Sequence, residues 1–209
     1  MKYVAIDIET TGTDPEIHQI LEVGAILEDT NNLLNYEEMP KFSCIINRTE
    51  ISGNVFALDM NKRIIEILKN YSAFSHKPYE IPAEKYALKK KYNIIEENDL
   101  AFNFLSWLGP LMNPGKDFLG EYICTPFNVA GKNFSAFDSN FLNKNENWKK
   151  KIKYERRIID PSTQYVNWAT DTRLPSLDEC LKRAGIEKFV SHTAVEDCWD
   201  VIQVLRKKY

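Results

Sequence analysis

From Tyr3 to Gly12 the chain reads YVAIDIETTG. Val4, Ile6 and Ile8 alternate with Ala5, Asp7 and Glu9, the period of a strand with one apolar face. The alternation sets the carboxylates of Asp7 and Glu9 on the same side, one pleat apart. At about 4 Å two like charges repel by roughly 4 kcal/mol at an effective dielectric of about 20. A strand can carry such a pair as an exposed acidic edge. If the strand is interior, the pair needs a compensating charge, and a hard divalent cation with oxygen ligands supplies one.

The rest of the chain supplies layers around that strand. A polar turn, Thr13-Asp14-Pro15-Glu16, leads to an apolar strand at 19–27 (QILEVGAIL), and 42–46 reads as a third strand. The short links predict an antiparallel meander. Ile64, Ile65, Ile67 and Leu68 fall at helical spacing. Residues 71–98, with Pro78, Pro82 and Lys89-Lys90-Lys91, read as an insertion or extended connection carrying one short helix, the lysines being a solvated face. Asp99 is placed to cap a helix through Leu111 that bears Leu100, Phe104, Trp107 and Leu108, ended by the Pro110 and Asn113-Pro114-Gly115 breakers. Residues 121–130 read as an interior strand blemished by Pro126. A helix is expected from about Ser135 and a short strand at 157–159. Helices follow at 175–184, closed by Gly185, and at 193–208. This order is a mixed α/β layer architecture, in a chain of 209 residues that suits one domain.

A net charge of −3 requires any nucleic-acid surface to be a local patch. Lys149, Lys150, Lys151, Lys153, Arg156 and Arg157, opposed only by Glu155, form such a patch. The same run also reads as ordinary solvated surface. Cys44, Cys124, Cys180 and Cys198 make no Cys-x-x-Cys pair, so neither a zinc site nor a redox dithiol is suggested. With no secretory leader and no membrane-length apolar run, the expected setting is soluble and cytoplasmic.

Two more stretches hold residues that Asp7 and Glu9 would need. Gly131-Lys132-Asn133-Phe134-Ser135-Ala136-Phe137-Asp138 leaves an interior strand for a helix, where ligand sites gather in open α/β sheets. Asp138 has a second reading, since Ser135-x-x-Asp138 matches a capping box. Ser191-His192-Thr193-Ala194-Val195-Glu196-Asp197 holds another capping box, Thr193-x-x-Glu196. His192 and Asp197 lie about 140° apart around a helix, so they do not share a face. With Thr193 as N-cap, however, they take the two positions that meet in a hydrophobic staple. His192 and Asp197 are therefore expected to converge beside the helix start. The alternative is a surface cap with an incidental His.

Asp7-Ile8-Glu9-Thr10-Thr11-Gly12, Asn133-Phe134-Ser135-Ala136-Phe137-Asp138 and His192-Thr193-Ala194-Val195-Glu196-Asp197 together resemble the three exonuclease motifs of the DEDDh family. This is the superfamily of proofreading exonucleases, RNase T and oligoribonuclease. The motifs occur in order across nearly the whole chain. The resemblance implies a ribonuclease H-like three-layer α/β fold. Its mixed five-stranded sheet, three antiparallel N-terminal strands and then parallel ones, is flanked by helices. One exonuclease domain would span 1–209, with 71–98 outside the shared core. By the same resemblance Asp7, Glu9, Asp138 and Asp197 hold two Mg²⁺ (or Mn²⁺) ions and His192 is the general base. Thr10, Thr11 and Gly12, with Asn133, would bind the terminal nucleotide of single-stranded DNA or RNA at its 3′ end. Cleavage would release nucleoside 5′-monophosphates. The charges agree: four carboxylates match two divalent ions, which about 4 Å apart can hold the attacking and departing oxygens. Lys132 stands where the family often has His, which bears on substrate contacts. Phe56, Met60 and Phe134 are candidates to stack on a base, and otherwise core. A catalytically inactive binding copy and a phosphodiesterase for very short oligonucleotides remain alternatives. The complete set of five catalytic residues argues against the first.

Overall fold

In the computed structural model, which describes residues 1–73, 82–112, 115–116, 120, 122–187 and 193–209, strand β1 (Lys2–Thr10) has a neighbour on each side. Its antiparallel partner β2 (Ile20–Asp29) sets Gly24 against Asp7 and Glu22 against Glu9. Beyond β2 lie β3 (Lys41–Ile46), antiparallel to it, and the two-residue edge strand β4 (Ile94–Ile95), parallel to β3. On the other side β5 (Val129–Ala130) runs parallel to β1. The order β4-β3-β2-β1-β5 is the expected mixed five-stranded sheet.

Alternation along β1 sorts its side chains between two layers. Val4, Ile6 and Ile8 pack with Val23, Ala25 and Phe42 against Leu100, Phe104 and Leu108 of helix α4 (Leu100–Met112). Trp148, from a short helix at Glu146–Lys151, closes this core with its ring 4.8 Å from Phe104. On the opposite face Tyr3, Ala5 and Ile26 meet Cys198, Val201, Ile202 and Leu205 of the C-terminal helix (Ala194–Arg206). Each aliphatic side chain so buried contributes about 1.5–3 kcal/mol. A third cluster joins Leu21, Ile45 and Ile94 to Ile64, Ile67 and Leu68 of the helix Lys62–Ala73, which follows a shorter one at Val55–Met60. In chain order the helices are α1 (Val55–Met60), α2 (Lys62–Ala73), α3 (Ala83–Tyr92), α4, α5 (Asp138–Leu142), α6 (Glu146–Lys151), α7 (Ser162–Tyr165), α8 (Leu177–Arg183) and α9 (Ala194–Arg206). Asp7 and Glu9 thus project on the face that α9 covers.

The structure departs from expectation in several places. The strand expected at 121–130 shrinks to Val129–Ala130. Pro126 lacks an N–H for a ladder, and Phe127 pairs only through a single bridge to Tyr154. Glu121 lies outside the described residues. The strand expected at 157–159 is one bridge, Ile159 to Ala130. The 71–98 segment holds its short helix, α3, and also β4, which two isoleucines are too few to announce by periodicity. Asn93, at φ 46°, stops α3 and turns the chain into that strand. Asp99 ends a 3-10 turn (Glu97–Asp99) that runs into α4. Pro110 lies inside α4 without ending it. The carbonyl it leaves unbonded belongs to Ser106, which is exposed, so water can satisfy it. The helix expected from Ser135 begins at Asp138. Pro78 and Asn113-Pro114 fall outside the described residues. Gly185 ends α8 as expected, in the left-handed region at φ 69°. Among the described residues no helix is long and apolar enough to cross a membrane.

Candidate active site

Asp7 and Glu9 reach the site from the C-terminal half of β1, both half-buried. Asp197 joins them from the first turns of α9. Carboxylate oxygens of Asp7, Glu9 and Asp197 all lie within 4.8 Å of one another, close enough to share a metal ion. Thr193 is the N-cap of α9, its hydroxyl accepting from the Glu196 amide at 3.3 Å and donating to the Glu196 carboxylate at 2.7 Å. That cap makes Asp197 the fourth helical residue, as the sequence predicts. α9 can lie this close to the sheet because Gly24 has no side chain: a Cβ there would stand 2.4 Å from the Ala194 carbonyl carbon.

Asp138 arrives by another route. The turn before it is held by Asn133, at φ 60°, whose N–H donates to Asp160 Oδ2 at 2.9 Å. Phe134 anchors the turn in the core. Asp138 then opens α5, and no side chain caps that helix. Its Oδ1 accepts the Ile8 N–H at 3.1 Å, so the carboxylate is tied to β1 between Asp7 and Glu9 and does not form the Ser135 capping box. His192 lies outside the described residues.

Crowding these acids shifts their ionisation. Burial first, then the charges of Asp138, Asp197, Glu9 and Glu22, hold Asp7 well above the usual carboxylate range. Burial also raises Glu9, with Asp197 and Glu22 adding to it, to about 7, while a hydrogen bond from Asn61 and the nearby Arg63 oppose the rise. Asp138 is raised chiefly by burial, against the amide bonds of Ile8 and its own N–H. Without a cation, this cluster holds protons into the neutral range. Oxygen donors only, closely spaced and destabilised as anions, are what a hard divalent cation requires.

Sequence reading missed the supports of this cluster. Asn61 is buried, donates to the Thr10 carbonyl at 3.1 Å, and hydrogen-bonds Glu9. Nothing in the local sequence marks it. Glu22 had a signal, being the lone charge in the apolar stretch 19–27. Its carboxylate accepts from Arg63 at 2.7 Å and faces the Ala194 amide at 3.4 Å.

The expected nucleotide-binding residues are placed as follows. Thr10 and Thr11 are buried. The Thr10 hydroxyl donates to the Gly12 carbonyl at 2.7 Å, and Thr11 Oγ1 accepts from the Gln19 amide at 2.9 Å. The space left by the missing side chain of Gly12 is filled by the His18 ring, 2.5 Å from where a Cβ would stand. Asn133 is exposed. The Asn54 amide donates to the Thr11 carbonyl at 3.0 Å, so α1 begins beside this motif. α1 exposes Phe56 (74%) and Met60 (41%), whereas Phe134 (1%) packs edge-on to Tyr154 and is core, not a stacking surface. Lys149, Lys150, Lys151, Lys153, Arg156 and Arg157 are all exposed.

No known family model matches the chain. It is 37% identical over 76 residues to the PolC-type DNA polymerase III of Thermotoga petrophila, which is 34% of this chain and 6% of the polymerase. It superposes on E. coli Exonuclease I in complex with a dT13 oligonucleotide with a TM-score of 0.54 at 18% identity, covering 99% of this chain and 40% of that one. The zinc-bound E. coli ExoI–ssDNA complex matches with a TM-score of 0.55 at 16% identity, with the same coverage. The chain therefore has the ribonuclease H-like fold of Exonuclease I, and it spans well under half the length of these proteins.

Proposed function

We propose that this chain is a metal-dependent 3′→5′ exonuclease of the DEDDh type. It would act on single-stranded DNA or RNA and release nucleoside 5′-monophosphates. The observation that carries this reading is the convergence of Asp7, Glu9 and Asp197 within a coordination sphere, with Asp138 fixed to the same strand. Asp7, Glu9, Asp138 and Asp197 would hold two Mg²⁺ or Mn²⁺ ions. Such ions, when bound, polarise the phosphodiester and stabilise the attacking and leaving oxygens.

The chain's own residues have distinct tasks in this reading. Water attacks phosphorus and the bond to the 3′ oxygen breaks; the phosphate stays on the released nucleotide, and the departing 3′ oxygen takes a proton from solvent to become the strand's new 3′-hydroxyl. His192, just ahead of the N-cap Thr193, takes the proton from the attacking water. An imidazole is the side chain suited to accept a proton at neutral pH. Asn61 and the Ile8 amide hold Glu9 and Asp138 in position. The backbone of Thr10, Thr11 and Gly12, with Asn133, grips the terminal nucleotide, and exposed Phe56 and Met60 offer its base an apolar surface. The lysine and arginine run at 149–157 tracks the phosphates of the strand. The whole chain 1–209 acts as one exonuclease domain, with 71–98 as an extended connection that also lends β4 to the sheet. Single-stranded DNA in the Exonuclease I structures favours that substrate class.

Incubation with 5′-labelled single strands of either sugar, resolved as a ladder, tests this. The expected result is stepwise mononucleotide release with Mg²⁺ or Mn²⁺ and none with chelator. Absence of release from every strand with both metals would contradict it, and release confined to the shortest strands would favour an oligonucleotide phosphodiesterase.

A further inference from the structure

Glu22 is a buried acid beside the candidate metal cluster, on the strand next to it. It sits opposite Glu9 across the β1–β2 ladder and its side chain is 5% exposed. A second carboxylate here adds to the repulsion on both Asp7 and Glu9. A carboxylate buried in this place needs contacts that offset the cost. Glu22 has such contacts. Its Oε2 accepts from Arg63 on α2 at 2.7 Å and lies 3.4 Å from the amide of Ala194, the first residue of α9. That amide belongs to the helix's first turn, which lacks intrahelical acceptors.

Two residues along the same face, Gly24 receives the α9 backbone, and its carbonyl accepts from Cys198 Sγ at 3.4 Å. β2 thus holds α9 at its first residue and again one turn on, and Asp197 lies between those two points. We infer that Glu22 is a positioning residue: through the Ala194 amide it fixes the start of α9, and so the distance of Asp197 from Asp7 and Glu9. Arg63 neutralises Glu22 so that it can do this beside Glu9. The inference rests on the reading of the cluster as a metal centre. Removing a partner that orients a metal ligand typically weakens metal binding about 10–100-fold.

The test separates positioning from charge and from folding. In the full chain, Glu22→Gln with Arg63→Met removes both charges and keeps an acceptor for Ala194. Glu22→Ala with Arg63→Met matches that charge and removes the acceptor. Mn²⁺ affinity is read by calorimetry below the melting point of each variant. The Gln pair should bind within about threefold of the parent and the Ala pair about tenfold or more weaker. If the Ala pair is not folded, Glu22→Asp takes its place, since it keeps the charge and withdraws it by one methylene. It too should weaken binding. Equal Mn²⁺ affinity in the acceptor-bearing and acceptor-less variants, with the parent binding normally, would overturn the positioning role alone. A parent that binds no Mn²⁺ would overturn the metal reading, and this inference with it.

Discussion

Asp138 shows how one side chain's surroundings decide between two readings of the same sequence. Ser135-x-x-Asp138 fits a capping box, yet the carboxylate accepts from Ile8, far away in the chain. The sequence contains both possibilities because capping depends on where the helix begins, and it begins two residues later than a Ser135 cap would set it. Asp7 and Glu9 were legible because a period of two fixes their side of the strand whatever the rest does. Asn61 was not, because its role is a long-range contact made from the end of a short helix. Asp7→Asn should abolish nucleotide release. It should also raise the metal-free melting temperature at pH 8, by about 2–4 °C per kcal/mol of repulsion relieved. Calorimetric melts in chelator check this, and a lowered melting temperature would count against a strained acid cluster. Glu9 provides a pH test. Its pKa is raised, to about 7 in the folded chain, so the fold binds protons that the unfolded chain has released. The Glu9 contribution to metal-free stability should then be full below about pH 4.5 and be lost as pH rises through about 7. Divalent metal should flatten that slope, because it replaces the protons.

At the scale of elements, the periods of the three N-terminal strands and the Thr193 cap carried through, whereas the Asp99 and Ser135 caps did not. β1, β2 and β3 and the Thr193 cap of α9 stand close to where the sequence places them. Short elements and their edges were not legible. β4 and β5 have two residues each, and pairing with an existing strand forms them more than their own composition does. The helix bearing Pro110 ends one residue beyond the expected Leu111, and the proline is tolerated inside its last turn because the carbonyl it orphans belongs to an exposed residue. Gly24 is the element-scale residue with the sharpest consequence. Gly24→Ala would drive a methyl group into the α9 backbone at Ala194. Overpacking of this kind costs about 1–3 kcal/mol, and here it also displaces Asp197. The expected outcome is a lower melting temperature together with weaker Mn²⁺ binding at temperatures where the variant is folded. Unchanged values of both would mean that α9 does not rest on β2 in this way.

For the whole molecule, charge distribution is the informative property. The chain carries a net −3, its acids cluster at one end of β1, and an exposed basic run lies at 149–157. Lys149→Glu with Lys153→Glu should raise KM for long single strands, leave kcat nearly unchanged, and make KM less sensitive to salt. A proportional loss in kcat would move the run from strand binding into the chemistry. The global architecture was legible because motif order and strand order agree, whereas the contribution of 71–98 to the sheet was hidden in a polar, proline-containing stretch. The central claim, that distant acids form one cation site, is tested most directly by manganese anomalous scattering from a crystal soaked in Mn²⁺. Two peaks about 4 Å apart are predicted, bounded by Asp7, Glu9, Asp138 and Asp197. Anomalous density elsewhere, or none among these four carboxylates, would contradict it.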